Sequence, residues 1–310
     1  MTFAFVFPGQ GSQSVGMMQP FAESRAVRAV FEEAADALKQ DLWKLVAEGP
    51  PDALSSTVNT QPLMLTAGYA VYRTWREAGG AEPAVVAGHS LGEYTALVAA
   101  GALAFRDALP LVRFRAQAMQ EAVPAGEGAM AAILGLEDEG VRAACKEAAQ
   151  GQVVEAVNFN APSQVVIAGH KAAVVRGVAA AKAHGAKRAM MLPVSAPFHS
   201  SLLKPAADKL ASYLEKVQLS APRIPVVNNV DVATESDPQR IKEALARQAC
   251  NPVRWVEVVR RIASHGIAHV AECGPGKVLA GMTKRIDGAL QSYALADAQS
   301  LQQALMALKP

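Results

Sequence analysis

Residues 3–7 form an unbroken apolar run, Phe3-Ala4-Phe5-Val6-Phe7, closed by Pro8-Gly9. A run without alternation predicts a strand buried on both faces. Apolar positions then recur every three to four residues, which predicts helices over 25–38 and 61–78. Residues 84–87 predict a second buried strand. It leads straight into Gly88-His89-Ser90-Leu91-Gly92 and a helix over 93–100, with another helix over 105–122. Strands alternating with helices point to a parallel sheet covered by helices.

The pattern changes near residue 126. Strands are expected at 129–134, 153–157, 164–168 and 187–194, and helices at 137–149 and 171–184. Asn158-Phe159-Asn160-Ala161-Pro162-Ser163 reads as the turn between the middle strands, and Gly185 as the stop of the second helix. That order, β-α-β-β-α-β, is ferredoxin-like. We therefore read residues 126–195 as a small inserted subdomain and residues 1–125 and 196–310 as the main domain. In the latter, helices are expected at 202–214, 238–249 and 253–264, and strands at 224–228 and 267–272. The last strand is closed by Gly274-Pro275-Gly276 and followed by a helix. The chain shows no internal repeat.

Composition narrows the classes of function. A net charge of +2 over 310 residues is too small to argue for nucleic acid as a partner. Cys145, Cys250 and Cys273 are scattered and form no CxxC pair, so neither a disulfide framework nor a zinc knuckle is expected. This usage fits a reducing compartment, and we expect a cytoplasmic protein without a bound metal. The first residues lack a basic region, and no apolar stretch reaches the roughly 18 residues that suggest a membrane span.

The chemistry concentrates at Gly88-x-Ser90-x-Gly92. Between a strand and a helix, this pattern is a nucleophile elbow: a sharp turn strains the backbone at the serine and lifts its hydroxyl out at the carboxyl edge of the sheet. Free N–H groups at the start of the following helix, that of Leu91 among them, can stabilise a developing oxyanion. The loop Pro8-Gly9-Gln10-Gly11-Ser12-Gln13 leaves the first strand at the same edge. The amide of Gln10 is a candidate second donor, although a plain glycine turn reads equally well. The loop is no dinucleotide fingerprint, because Ser14 replaces the third glycine. Gly274-Pro275-Gly276-Lys277 is no Walker A loop, because Val278 stands where Ser or Thr belongs.

Six histidines compete to serve as base. His89 lies inside the elbow, His184 and His265 sit at helix ends, His170 begins a helix, and His269 lies in an apolar strand. His199, in a loop just after the insertion, leads because sites favour domain seams. A simple hydrolase would instead favour His265 or His269, near the carboxyl end. Arg113 and Arg115, on the helix after the elbow helix, are candidates for binding a carboxylate.

Taken together, several motifs match one family. They are Phe7-Pro8-Gly9-Gln10-Gly11-Ser12-Gln13, Gly88-His89-Ser90-Leu91-Gly92-Glu93-Tyr94, and Arg115 with Met119-Gln120. Asn158-x-Asn160-x-Pro162, Val165-Val166-Ile167-Ala168-Gly169, Phe198-His199, Gln248 with Asn251-Pro252-Val253, and Gly274-Pro275-Gly276 complete the set. Nearly end to end, the chain resembles the malonyl-CoA:acyl carrier protein transacylases of bacterial fatty acid synthesis. The resemblance implies an α/β fold, an α/β-hydrolase-like core with a parallel sheet carrying a ferredoxin-like insertion.

It also implies roles. Ser90 would attack the thioester of malonyl-CoA, and His199 would take its proton and return it to the leaving thiol. Gln248 matches the position that orients the histidine, in place of a carboxylate. The amides of Gln10 and Leu91 would form the oxyanion hole, and Arg115 would pair with the malonyl carboxylate. Gln61 and Asn160 match positions lining the site. Phe198 is a bulky residue of the kind that goes with malonyl over methylmalonyl in related domains. The partner would be acyl carrier protein bearing phosphopantetheine, with no cofactor bound; apart from the resemblance, the sequence does not give the oligomeric state, and a monomer is the expectation. These carriers are acidic, and residues 171–192 hold Lys171, Arg176, Lys182, Lys187 and Arg188 without an Asp or Glu, a candidate docking face. The competing readings are an acyl-thioester hydrolase, a transferase of a polyketide or malonate decarboxylase pathway, and a non-catalytic docking subunit.

Overall fold

The structure is a computed structural model that describes residues 2–194 and 196–309. Ser195, the expected end of the insertion, lies outside the described residues. Nine strands are formed among the described residues: β1 (Phe3–Phe7), β2 (Val85–Gly88), β3 (Gly128–Leu134), β4 (Val154–Ala161), β5 (Gln164–His170), β6 (Arg188–Met191), β7 (Val226–Val227), β8 (His269–Glu272) and β9 (Gln291–Ala294).

One sheet runs β7-β2-β1-β8-β9, parallel throughout, with Phe7 opposite Gly88 and Val6 opposite Glu272. β1 is central and fully buried, which explains its uninterrupted apolar run. Its odd positions, Phe3, Phe5 and Phe7, join the core containing Tyr72 and Trp75, whose rings meet them edge-on. Its even positions, Ala4 and Val6, pack on the opposite face with Val259 and Ile262 of the helix Trp255–Ser264. The two-residue period of a strand thus feeds two cores at once.

The second sheet runs β4-β5-β3-β6 and is antiparallel. Helices Asp138–Ala149 and Lys171–Ala183 cover the face bearing Ala129, Ala131 and Ile133. Met130 and Val166, on the other face, join the large core. Counted along the chain, its strands lie in the order two-three-one-four, the ferredoxin-like arrangement.

The expected turn over 158–163 is corrected: β4 continues to Ala161, and the chain reverses at Pro162-Ser163, where Ser163 takes φ 56°. A distant segment holds the extra residues extended. Phe159 N donates to Val253 O at 3.0 Å and Val253 N to Val157 O at 2.8 Å. β6 and β7 are shorter than their apolar runs. Helix Thr57–Glu77 starts before its predicted residue 61. The helices Leu42–Glu48, Pro51–Ser55 and Ala298–Ala307 and the strand β9 carry weak signals in sequence. β9, Gln291-Ser292-Tyr293-Ala294, is a half-exposed edge strand that needs no apolar run.

Candidate active site

β2 delivers Ser90 to the carboxyl edge of the parallel sheet, and the helix Gly92–Ala99 leaves it immediately. The elbow is tight: Ser90 sits at φ 50°, in the left-handed region. The flanking glycines are required by space. A Cβ on Gly88 would lie 1.9 Å from the Gly92 carbonyl carbon, and one on Gly92 would lie 2.0 Å from Phe7 O. Asn229, just beyond β7, clamps the turn. Its Oδ1 accepts from Ser90 N at 2.7 Å and its Nδ2 donates to Gly88 O at 2.8 Å.

The structure brings Ser90 and His199 together, with Oγ 2.7 Å from Nε2. His199 is buried and also left-handed, at φ 66°. Its Nδ1 donates to the main-chain carbonyl of Gln248 at 2.8 Å. A carbonyl can only accept, so Nδ1 carries the proton and Nε2 presents its lone pair to the serine. Burial, followed by the nearby Arg115 charge, pushes the imidazole down to about 3, against the opposing pull of the Gln248 carbonyl. The ring is therefore neutral at physiological pH and able to accept a proton.

Arg115, on the helix Phe105–Glu121, is 1% exposed. Its guanidinium donates to Gln61 Oε1 at 2.7 Å, Gln248 Oε1 at 2.9 Å and Ser90 Oγ at 3.1 Å, and it lies over the Tyr94 ring at 5.3 Å. Arg113 points elsewhere, to Leu38 O and Gln40. Two residues on a helix differ by about 200° in direction, so the two arginines cannot share a site.

These groups open on a cavity of about 410 Å³. Gln10, Leu91, Gln61 and Arg115 contribute to its wall, and Met119, Met130, Val166 and Phe198 make it partly apolar. Gly9 passes so close beneath the elbow that a Cβ there would be 2.5 Å from His89 O and 3.7 Å from Leu91 N. That approach places Gln10 beside Leu91. Asn160 stands behind the wall, its Oδ1 2.8 Å from His89 Nε2, while Asn158 lines the cavity. The His89 ring also packs edge-on against Trp255 at 5.4 Å.

The remaining histidines lie elsewhere. His184 meets Glu147 at 2.9 Å, His170 Nδ1 accepts from Val153 N at 3.0 Å, and His269 Nδ1 meets the Tyr293 hydroxyl at 3.1 Å. His265 caps the helix Trp255–Ser264. Among the described residues, no group of three or more His, Cys, Asp or Glu side chains could hold a metal. Nor is any described helix long and apolar enough to cross a membrane.

Two residues of the site carry no role in the sequence reading. Asn229 is one. The other is Glu93, which is buried, with Oε2 accepting from Gln248 Nε2 at 2.8 Å and Asn229 N at 2.9 Å. Its signal was an acid inside the otherwise apolar helix Gly92–Ala99, one turn beyond Ser90. Burial raises its carboxyl to about 7, while the two amide donors pull the other way.

An elbow serine within reach of a neutral imidazole, on a parallel α/β sheet, defines a serine-type acyl-transfer enzyme. The chain belongs to the acyl transferase domain family, whose model matches residues 4–300. It is 56% identical over 304 residues to the malonyl CoA-acyl carrier protein transacylase of Escherichia coli K12, covering 98% of both chains. It is similar in structure to the acyl-carrier-protein S-malonyltransferase of Burkholderia pseudomallei 1710b, with 67% identity, a TM-score of 0.98, and 99% of this chain and 100% of that chain covered. It also resembles a malonyl-transacylase solved in complex with its type II PKS acyl-carrier protein, with 52% identity, a TM-score of 0.98, and 99% and 100% of the two chains covered.

Proposed function

We propose that this enzyme transfers the malonyl group of malonyl-CoA to the phosphopantetheine thiol of an acyl carrier protein, through malonyl-Ser90. The observation that carries this reading is Arg115. Its buried guanidinium, 3.1 Å from Ser90 Oγ, stands where the free carboxylate of a bound malonyl group needs a cation. Ser90 Oγ attacks the thioester carbon as its proton passes to His199 Nε2. The amides of Gln10 and Leu91 receive the oxyanion. The C–S bond breaks and the proton moves from His199 to the CoA sulfur. The carrier thiol then attacks the acyl-serine with the same groups in reverse.

Arg115 has a second effect. Its charge is one of the forces holding the His199 imidazole down. A malonyl carboxylate paired with the guanidinium offsets that charge and makes the imidazolium easier to form. Donors with a free carboxylate thus support their own activation. A hydrolase with a generic acyl pocket needs no such cation, which favours transfer over hydrolysis.

We place the carrier against the basic face of the insertion. Lys182 and Arg188 are exposed there, whereas Arg176 is tied to Ala148 O, Ala149 O and Gln152 and serves the subdomain itself. We take the enzyme to be a cytoplasmic monomer. Intact-mass analysis tests the main reading. Incubation with malonyl-CoA should add one malonyl group at Ser90, and holo carrier should remove it with malonyl appearing on the carrier. Free malonate in place of malonyl-carrier would establish the hydrolase, and no adduct a non-catalytic docking role.

A further inference from the structure

We propose that Glu93 is a positioning residue for acyl transfer, one that fixes the Gln248 amide and opposes the charge of Arg115 across it. This rests on the reading of Arg115 as the partner of the acyl carboxylate.

Glu93 is 2% exposed, and Arg115 and Gln248 are 1% and 0% exposed. A buried carboxylate needs a counter-charge or a full set of donors. Among the described residues, no basic side chain forms an ion pair with Glu93. The partners of Oε2 are Gln248 Nε2 at 2.8 Å and Asn229 N at 2.9 Å. Behind Glu93 lies a cavity of only about 10 Å³, lined also by Asn228 and Glu235, with room for at most one water. Glu235 is itself acidic and faces Arg240. The positive charge that acts against its burial is Arg115, which Gln248 bridges to it by a single amide.

The amide between them can point only one way. Gln248 Nε2 donates to both Glu93 Oε2 and Ser90 O, the latter at 3.0 Å, so Oε1 must face outward to accept from Arg115 at 2.9 Å. The main-chain carbonyl of the same residue holds His199 Nδ1. Glu93 thus reaches the cation through the side chain of Gln248 and the base through its backbone. Through Asn229 N it also steadies the residue that clamps Ser90 N. Because its charge lies on the far side of Arg115 from the cavity, it weakens the pull of the guanidinium on an incoming carboxylate. The grip is moderated so that an acyl group can be both held and passed on.

The test compares kcat/KM for malonyl-CoA and acetyl-CoA at pH 8, above the value of about 7 to which burial raises the Glu93 carboxyl so that its charge is present, with saturating holo carrier, in the wild type, E93Q, E93D and R115A. E93Q keeps an acceptor for Gln248 and Asn229 but loses the charge. The malonyl-to-acetyl ratio should rise about tenfold, since unit charges joined through one amide interact appreciably even at an effective dielectric of about 20. E93D keeps the charge on a shorter stem. It should release the Gln248 amide and lower kcat for both donors at least about tenfold with an unchanged melting temperature. If R115A abolishes the ratio while E93Q leaves it unmoved, Glu93 has no such role. If neither variant moves the ratio, the reading of Arg115 has failed and takes this proposal with it. Should E93Q not fold, E93D decides: wild-type rates for both donors would overturn the proposal.

Discussion

Ser90 Oγ and His199 Nε2 lie 2.7 Å apart, and both residues sit in left-handed backbone, at φ 50° and 66°. Neither is a glycine, so each conformation carries a cost of order 1–3 kcal/mol that the surrounding contacts must outweigh. The elbow glycines, the Asn229 clamp and the Gln248 carbonyl supply those contacts. Two strained residues from distant parts of the chain thus share one proton path, and the expected outcomes below follow from that arrangement.

Replacing His199 with alanine should lower the rate of malonyl-enzyme formation by roughly 10²–10⁴, the usual contribution of a positioned base. The fold should remain, because the ring lines the cavity and water entering the space it leaves can reach its two partners, Ser90 Oγ and the Gln248 carbonyl. Rapid-quench measurement of CoA release checks this. A rate within threefold of wild type would remove His199 from the mechanism.

The imidazole, lowered from 6.5 to about 3, sets two pH dependences of known sign. The base stays neutral as pH falls from 7 to 5, so kcat/KM for acylation should not follow an ordinary histidine limb near 6.5. In R115A one depressing charge is gone, and the acid limb should move upward. For stability, the unfolded chain binds the proton more readily between about 6.5 and 3, so the contribution of His199 falls as pH drops through that window. Stopped-flow acylation and chemical denaturation across pH 4–8 distinguish the two effects.

Arg115→Lys keeps a positive charge but cannot donate from one plane to Gln61, Gln248 and Ser90. Malonyl-CoA turnover should fall roughly 10- to 100-fold, on the scale of a lost charge-assisted hydrogen bond. Acetyl-CoA turnover should change far less. Equal losses for both donors would show that Arg115 supports the fold and not the substrate.

Gly92→Ala places a Cβ 2.0 Å from the carbonyl oxygen of Phe7, a backbone atom in the central strand. No rotamer relieves that clash, so the elbow must separate from β1. A destabilisation above about 3 kcal/mol is expected by thermal or urea unfolding, with loss of labelling at Ser90.

Phe198 is buried against the cavity that Ser90 opens on. Phe198→Ala should admit an α-methyl group and raise methylmalonyl-CoA turnover relative to malonyl-CoA by about 10-fold or more, the worth of relieving one crowded methyl. Competition between the two donors, read by mass on Ser90, measures it.

Patterns confined to one segment were legible in the sequence. The apolar run at 3–7 required a central strand, because only a strand buried on both faces can dispense with alternation. The helix Arg25–Leu38 matched its period from end to end. Gly88-x-Ser90-x-Gly92 announced the elbow, since two glycines around a serine between strand and helix answer a steric need of that turn alone. Elements that rely on distant partners were not legible in the same way. Residues 158–161 look like a turn and form a strand because Val253 pairs with them. β9 is polar and half exposed, so its place at the sheet edge leaves little mark in its composition.

The same division holds at the candidate site. Chain composition and local periodicity determined the layers, the elbow and a short set of chemically able residues, because sterics and burial act residue by residue. Tertiary structure decided which of six histidines faces Ser90, which of two neighbouring arginines enters the cavity, and that a buried acid at position 93 is tied to Gln248. Those choices depend on hydrogen-bond direction and charge balance between groups up to 158 positions apart. Such directions exist only once the chain has closed around them.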